Sequence, residues 1–200
     1  HRTTFFPSGY PWHCIGRVAV SATYNIFGSS FSTGWNGSGV LVGRSVVLTA
    51  SHMVPWGATS WSATFTPASY DGTSTVGPTV FSWVRSARGY SDHDQGDDMA
   101  ILRLWDALGS SLGAFGAKTY DDDWEDTGYW TLVGYHGDLL AGNRPAYQTG
   151  IAVVDDDSDG AGVELEPDEL VGLLDRLGRG DGRNPNVERL ERLVADLRLH

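Results

Sequence analysis

His52 is the residue of this sequence best placed for acid–base chemistry. It ends the stretch SGVLVGRSVVLTASHMV, residues 38–54, where two apolar strands are predicted to form a hairpin around Gly43 and Arg44. Such a hairpin brings an imidazole to the point where the chain leaves a buried core. General-base catalysis needs an imidazole on a rigid support with one face open. We therefore take His52 as the candidate general base.

Asp98 is the candidate partner of this imidazole. It directly precedes the apolar run MAILRL, residues 99–104, which is also predicted to be a strand. A carboxylate at a strand entrance can be buried enough to accept the Nδ1–H of a histidine, which fixes the tautomer and stabilises the imidazolium. Asp97 is the rival for this role, but it lies one residue further from the strand and is expected to be solvated.

Ser158 lies in the acidic stretch DDDSDGAGVELE, residues 155–166, which imitates two kinds of site. Ser158 followed by Gly160 and Gly162 is a blurred form of a nucleophile turn. The neighbouring carboxylates, Asp159 above all, would oppose both an alkoxide and a developing oxyanion. We therefore do not assign Ser158 as a nucleophile.

The same stretch has the spacing of a calcium-binding EF-hand loop, with acidic residues at positions 155, 157, 159 and 166 and a glycine at 160. An EF-hand also needs a helix entering the loop. Residues 143–154 contain Pro145, Gly150 and a β-branched apolar run, so they are predicted to enter as a strand. The favoured interpretation is a solvated acidic turn between two strands, and a calcium-binding protein stays an alternative.

Other reactive residues are predicted to be structural. Cys14 is the single cysteine, so no intrachain disulfide can form, and no cysteine-protease motif surrounds it. The remaining candidates lie in a polar loop or have no partner identifiable from sequence: Asp92, His93, Asp94, His13 and His136. We predict no cofactor and no metal ligands.

An alternating apolar pattern dominates the chain as far as residue 154 and predicts short strands separated by Gly, Pro, Asn and Asp. The predicted strands are residues 15–24, 38–42, 45–49, 60–66, 79–84, 99–104, 130–133 and 146–154. Regular short strands of this kind indicate an all-β barrel or sandwich.

Composition narrows the function classes. The formal net charge of −11 argues against a basic nucleic-acid footprint. No apolar run approaches the length of a membrane span, so no membrane association is predicted. Because the chain begins at His1 and shows no signal-peptide pattern, we expect a processed or truncated product.

The composition changes near residue 160. After Ser158 there is no Ser, Thr, Cys, Lys, Ile, Phe, Tyr or Trp. Apolar residues at helical spacing predict two amphipathic helices in the tail, one opening at Pro167 and one around 187–197. The tail, residues 166–200, is either an out-of-frame product of a GC-rich gene or a genuine replacement of the original C-terminus.

Two motifs carry a resemblance to a known family. LTASH, residues 48–52, resembles the LTAAHC histidine motif of trypsin-like serine proteases, and DMAIL, residues 98–102, resembles their DIALL aspartate motif. The order and the separation of 46 residues also agree. GYHGD, residues 134–138, and YPWHCIGRV, residues 10–18, resemble the V8-like glutamyl endopeptidase branch. The resemblance covers roughly residues 10–165.

The resemblance implies a chymotrypsin-like double β-barrel over residues 1–165, with a first barrel at about 15–105 and a partial second one at about 112–165. It further implies a secreted serine endopeptidase that hydrolyses protein or peptide substrates through an acyl-enzyme. His52 would be the general base and then the acid, and Asp98 would orient it.

The sequence departs from the family at the nucleophile, because no GDSGG motif exists. Ser158 follows Asp98 by only 60 residues, which is too early. We therefore expect little or no protease turnover from the chain as written, and a noncatalytic pseudoprotease or binding module is the second alternative. An incomplete second barrel would leave unpaired strand edges, which favour self-association.

Overall fold

A computed structural model describes residues 1–89, 98–117 and 130–151, together with the backbone of two further strands, Val153–Asp156 and Val163–Leu165. Several candidates lie outside the described residues: Asp92, His93, Asp94, Asp97, Ser158 and the predicted helices of the tail.

Short strands make up most of the described chain, which confirms the all-β prediction. In chain order they are β1 (Thr3–Thr4), β2 (Ile15–Ile26), β3 (Ser29–Gly43), β4 (Val46–Thr49), β5 (Ser60–Pro67), β6 (Ser69–Tyr70), β7 (Thr73–Ser74), β8 (Ser82–Gly89), β9 (Ala100–Leu104), β10 (Trp130–Gly134), β11 (Ala146–Ile151), β12 (Val153–Asp156) and β13 (Val163–Leu165). The helical segments within the described residues are short: 3₁₀ turns at Trp12–Cys14, Ser51–Met53 and Leu140–Gly142, and one α-helix, α1 (Gly109–Leu112).

Six strands close into a barrel in the order β2-β3-β4-β9-β8-β5. Every neighbouring pair described is antiparallel, from β2 with β3 to β8 with β9. The turn between β3 and β4 consists of Arg44 and Ser45, one residue later than the turn predicted around Gly43 and Arg44. Closure removes most sheet edges and gives the barrel a single interior.

Alternate residues fill this interior. On β2, Val18, Val20 and Ala22 are buried while their neighbours are more exposed, which is the pattern of a strand with one face on the core. Phe65 is completely buried among them and is the largest fully buried side chain described. The barrel is therefore a packed scaffold on which the strand ends can hold functional residues.

A second, smaller group of strands lies beside the barrel. β1, β11 and β10 form a three-stranded antiparallel sheet, and β12 pairs antiparallel with β13. The N-terminal strand β1 pairs with β11 through Thr3 and Thr4, a contact that the sequence pattern does not reveal. Tyr135 joins this sheet to the barrel, since its backbone N–H donates to Ser38 Oγ on β3 at 2.7 Å.

Three predicted strands differ from the observed ones by three or more residues, and the others by one or two. β3 begins at Ser29 rather than at residue 38, and β8 extends from Ser82 to Gly89 rather than over 79–84. The strand predicted at 146–154 is two strands, β11 and β12. In the part of the chain described, no helix is long and apolar enough to cross a membrane.

Candidate active site

The turn that carries His52 is fixed to the barrel on its N-terminal side. β4 ends at Thr49, and the 3₁₀ turn Ser51–Met53 begins two residues later. Thr49 is fully buried, and its hydroxyl donates to the backbone oxygen of Ser38 at 2.8 Å. The backbone N–H of Met53 donates to the Ala50 carbonyl at 3.1 Å and closes the turn.

A tryptophan braces the same turn from the other side. The indole Nε1–H of Trp56 lies 3.1 Å from the Ser51 carbonyl oxygen and 3.0 Å from Ser51 Oγ. Met53 is buried in the barrel core, where its sulfur occupies the space that a side chain on Gly37 would fill. Residues before and after His52 are therefore held, as a rigidly positioned base requires.

Asp98 reaches His52 because their strands are neighbours. β4 pairs antiparallel with β9, with Thr49 opposite Ala100, so the end of β4 and the entrance of β9 lie side by side. Asp98 Oδ2 is 2.7 Å from His52 Nδ1, and Asp98 Oδ1 accepts the backbone N–H of His52 at 2.9 Å. The structure thus brings together the two residues that the sequence singles out.

The two side chains differ in exposure. The Asp98 side chain is 11% exposed and the His52 side chain is 61% exposed. An ionised carboxylate can only accept hydrogen bonds, so Nδ1 carries the ring proton and Nε2 is the basic nitrogen of the neutral imidazole. This arrangement can take a proton at Nε2, while the carboxylate stabilises the resulting cation.

Ser51 is next to His52 in sequence but does not suit the role of nucleophile. It is completely buried, and its hydroxyl receives the Trp56 indole N–H. A substrate carbonyl could not reach this oxygen without disrupting the turn. Ser51 is best understood as part of the support of His52.

Cys14 has the environment of a structural thiol. It is buried, its sulfur lies 3.4 Å from the backbone oxygen of Leu112, and burial raises its pKa. A raised pKa lowers the thiolate fraction, and the thiolate is the nucleophilic form.

His13 likewise has a local role. Its Nε2 accepts the backbone N–H of Gly9 at 2.7 Å, while its own backbone N–H donates to the Gly9 carbonyl at 3.0 Å. The ring therefore closes the turn ahead of β2, consistent with a structural residue.

His136 lies in the partly buried GYHGD segment after β10, and its Nε2 is buried without a hydrogen-bond partner in the described structure. Burial lowers the pKa of His136, the positive charge of Arg2 lowers it further, and Asp138 acts in the opposite direction. A neutral imidazole is the form that this site accommodates best.

Acidification is therefore expected to destabilise the fold through His136. As the pH falls below about 6.5, the ordinary histidine value, the unfolded chain binds a proton that the folded chain binds less readily, so the free energy of unfolding decreases. Above that pH both states are neutral and the effect vanishes. Thermal unfolding between pH 5 and 8, about the range in which histidine titrates, should show a smaller pH dependence for His136→Gln. An unchanged dependence in that variant would contradict this assignment.

Sequence reasoning missed three residues that support the site. Ser38 accepts a hydrogen bond from Tyr135 and, through its carbonyl, from Thr49, so it ties β3 to both β4 and the second sheet. The Tyr135 hydroxyl donates to the Ser69 carbonyl at 3.0 Å, and burial raises the pKa of Tyr135. Trp56 is the third. The sequence offers no periodic signal for these contacts. Those of Tyr135 join residues far apart in sequence, and that of Trp56 is a local contact to Ser51 that no alternating pattern marks.

The acidic stretch at residues 155–166 is entered and left by strands. Asp155 pairs with Glu164 and Asp156 with Val163 in the β12–β13 ladder, whereas an EF-hand loop lies between two helices. Across the described residues, no group of three or more His, Cys, Asp or Glu side chains is placed to hold a metal ion. These backbone positions agree with the strand–turn–strand interpretation; residues 157–162 lie outside the described part.

Comparison with known proteins identifies the fold. No protein-family model and no curated protein sequence matches this chain. A solved glutamyl endopeptidase, in complex with MPD, matches with a TM-score of 0.63 at 17% identity, over 92% of this chain and 81% of that one. GrC, which is granzyme C, matches with a TM-score of 0.57 at 14% identity, over 97% and 98% of the two chains. A scabies mite inactivated protease paralogue matches with a TM-score of 0.50 at 18% identity, over 92% and 95%.

All three neighbours are chymotrypsin-like serine proteases. The chain therefore has a protease-like fold of the chymotrypsin class, as the histidine and aspartate motifs imply. At these identities the likeness concerns the fold alone.

Proposed function

We propose that this chain is a secreted, V8-like member of the serine endopeptidases, in which His52 and Asp98 form the acid–base unit for peptide-bond hydrolysis. We further propose that the 200 residues carry no competent nucleophile and have little or no turnover. The observation that carries the proposal is the pair of hydrogen bonds from one His52 to the two oxygens of Asp98, at 2.7 and 2.9 Å.

The exposure of the pair supports a catalytic role for the imidazole. A histidine that serves only packing is usually covered, whereas the His52 side chain is 61% exposed and is nevertheless held by a carboxylate that is 11% exposed. Holding an exposed ring in one orientation costs conformational entropy. A general base that must meet a substrate on one side and an orienting carboxylate on the other needs this arrangement.

The sequence supports the second half of the proposal. The strong nucleophile signal of the family, GDSGG, is absent, and Ser158 has an aspartate on each side. In serine proteases the backbone N–H groups around the nucleophile also build the oxyanion hole. Loss of that turn removes attack and oxyanion stabilisation together, while the acid–base pair can persist.

The His52–Asp98 pair can be tested by NMR of ring-labelled histidine. Neutral His52 is expected to be the Nδ1–H tautomer, with a strongly downfield Nδ1 proton protected from exchange. Asp98→Asn should lose that proton signal and the tautomer preference, because an amide cannot accept from Nδ1–H with the strength of a carboxylate. His13 is the internal control, since its contact to Gly9 does not involve Asp98.

An Nε2–H tautomer for His52 would contradict the pairing, and so would a spectrum that Asp98→Asn leaves unchanged. Retention of the native fold in the variant can be verified from the His13 resonances.

A further inference from the structure

We propose that the outer edge of β3 is a self-association surface, through which two copies of this chain join edge to edge in antiparallel orientation. The sequence led us to expect unpaired edges in the second barrel. The β3 edge belongs to the closed barrel instead, and its pairing is independent of the proposed protease function.

Over residues 29–34, β3 extends past its neighbours in the barrel. β4 pairs with β3 only from Val40 onward, and β5 pairs with β2 only as far as Thr23 opposite Ser60. Within the described chain, residues 29–34 therefore pair with β2 alone. Most of them are exposed.

The ladder pattern shows which backbone groups point outward. The Ser38 carbonyl accepts the Thr49 hydroxyl and so faces away from β2. Because backbone groups alternate along an antiparallel strand, Ser30, Ser32 and Gly34 also face outward. Each offers one N–H and one C=O for a further strand.

The opposite edge of the same hairpin is covered. The Asn25 N–H donates to Thr59 Oγ1 at 3.2 Å, and the Thr23 carbonyl accepts the Thr59 N–H at 2.8 Å. Only the β3 side of the hairpin is therefore open for strand addition among the residues described.

The open edge lacks the features that proteins use to block strand pairing. Exposed edges are normally protected by charged residues, proline or a bulge. Residues 18–43 contain no Asp, Glu, Lys, Arg or Pro, and the pairing of β2 with β3 runs without a register shift from Ile15 to Ile26. Such an edge is a template for another strand.

An apolar face accompanies this edge. Tyr24 and Phe31 are directly opposite each other in the ladder. They lie on the same side of the hairpin as Val20 and Ala22, which are buried. Phe31 is 58% exposed and Ile26 is 55% exposed. A strand added at the β3 edge would extend this face and cover part of it, so the edge and the face favour the same occupant.

A second copy fits these features better than a lipid surface. An antiparallel pair about a two-fold axis beside Ser32 is self-complementary, and each copy satisfies the outward N–H and C=O groups of the other. A bilayer would cover Phe31 and Ile26 but leave those backbone groups without partners. The absence of charged residues at the edge also favours pairing. Two chains of net charge −11 repel each other, but residues 18–43 add no charge to that repulsion at the contact.

Sedimentation velocity of the full 200-residue chain over a range of concentrations tests the proposal. A monomer–dimer equilibrium is expected, and it should strengthen with added salt, which screens the repulsion between the acidic copies. Ser32→Pro removes one outward N–H and leaves the β2 ladder intact, so the dimer should weaken about tenfold or more. Ser32→Ala is the matched control and should dimerise like the parent, although it also lacks the Ser32 hydroxyl that contacts Thr23.

Ser32→Lys serves as a second edge variant should Ser32→Pro fail to fold, since two lysines would face each other across the axis. A chain that stays monomeric at all concentrations would overturn the proposal, whether or not it sediments with phosphatidylcholine vesicles. The proposal would also be overturned if folded Ser32→Pro or Ser32→Lys dimerised with the same affinity as the parent chain.

Discussion

A fluorophosphonate probe is expected to leave this 200-residue chain unlabelled, and peptide esters should be hydrolysed about 10⁶-fold more slowly than by an intact enzyme of the same fold. The reason lies in the proposed function: with His52 as the proposed general base, the sequence contains no GDSGG serine to give up a proton and attack the carbonyl. A general base without its nucleophile and oxyanion hole retains only a small part of the rate enhancement.

The experiment needs two comparisons. An active chymotrypsin-like protease, treated in parallel, shows that the probe and the peptide ester are competent. Ser158→Ala shows whether any residual signal comes from the only serine in the acidic stretch. Labelling of the parent chain that disappears in both Ser158→Ala and His52→Ala would establish Ser158 as a nucleophile and overturn the proposed inactivity.

The alternating pattern was sufficient to predict an all-β barrel or sandwich, the family resemblance selected the barrel, and the two motifs singled out the residues that meet at the site. Buried strands alternate strongly, and two of them end or begin beside a residue with acid–base chemistry, so β4 and β9 could be located from Val46–Thr49 and MAIL alone. What the sequence could not show directly is that these strands are neighbours. That follows from the closed order β3-β4-β9-β8, and it places Asp98 within 2.7 Å of the ring.

The length of the β2–β3 hairpin was missed for a physical reason. Residues 28–39 are rich in Gly and Ser, a composition typical of loops, yet residues 29–39 lie in β3 opposite residues of β2 in an unbroken register. Pairing with a strong neighbouring strand overrides the weak intrinsic preference. The turn itself is tight, with Phe27 and Gly28 both at positive φ, as the two-residue hairpin turn requires.

The C-terminal end of β8 was also missed because pairing with a neighbouring strand determines it. Apolar alternation stops near Val84, but β8 continues to Gly89 because β9 offers a partner as far as Ala100. Strand ends therefore depend on tertiary pairing more than on local pattern. Tyr135 illustrates the same limit for side chains, since its hydrogen bonds to Ser38 and Ser69 join residues 97 and 66 positions apart in sequence.

The barrel that supports His52 depends on Phe65 for its packing. The ring is fully buried on β5 and belongs to the same core cluster as Val18, Val47 and Met53. The ring also occupies the space that a side chain at position 16 would need, since a Cβ on Gly16 would lie 2.5 Å from Phe65 Cε2. Ring and glycine thus fit each other across the β2–β5 pair.

Phe65→Ala is therefore expected to lower the free energy of unfolding by about 3–5 kcal/mol, a large part of the roughly 5–15 kcal/mol available to a typical domain. Glycine at position 16 cannot fill the cavity, so the loss includes both the transfer of the ring and the empty volume. Urea denaturation followed by tryptophan fluorescence measures the change. Phe27→Ala is the matched control, because Phe27 is 105% exposed in the hairpin turn and its truncation should change stability by less than about 0.5 kcal/mol. Equal losses of stability in the two variants would show that Phe65 does not hold the barrel together. A stable Phe65→Ala chain with unchanged His52 resonances would show that the position of His52 does not depend on this core.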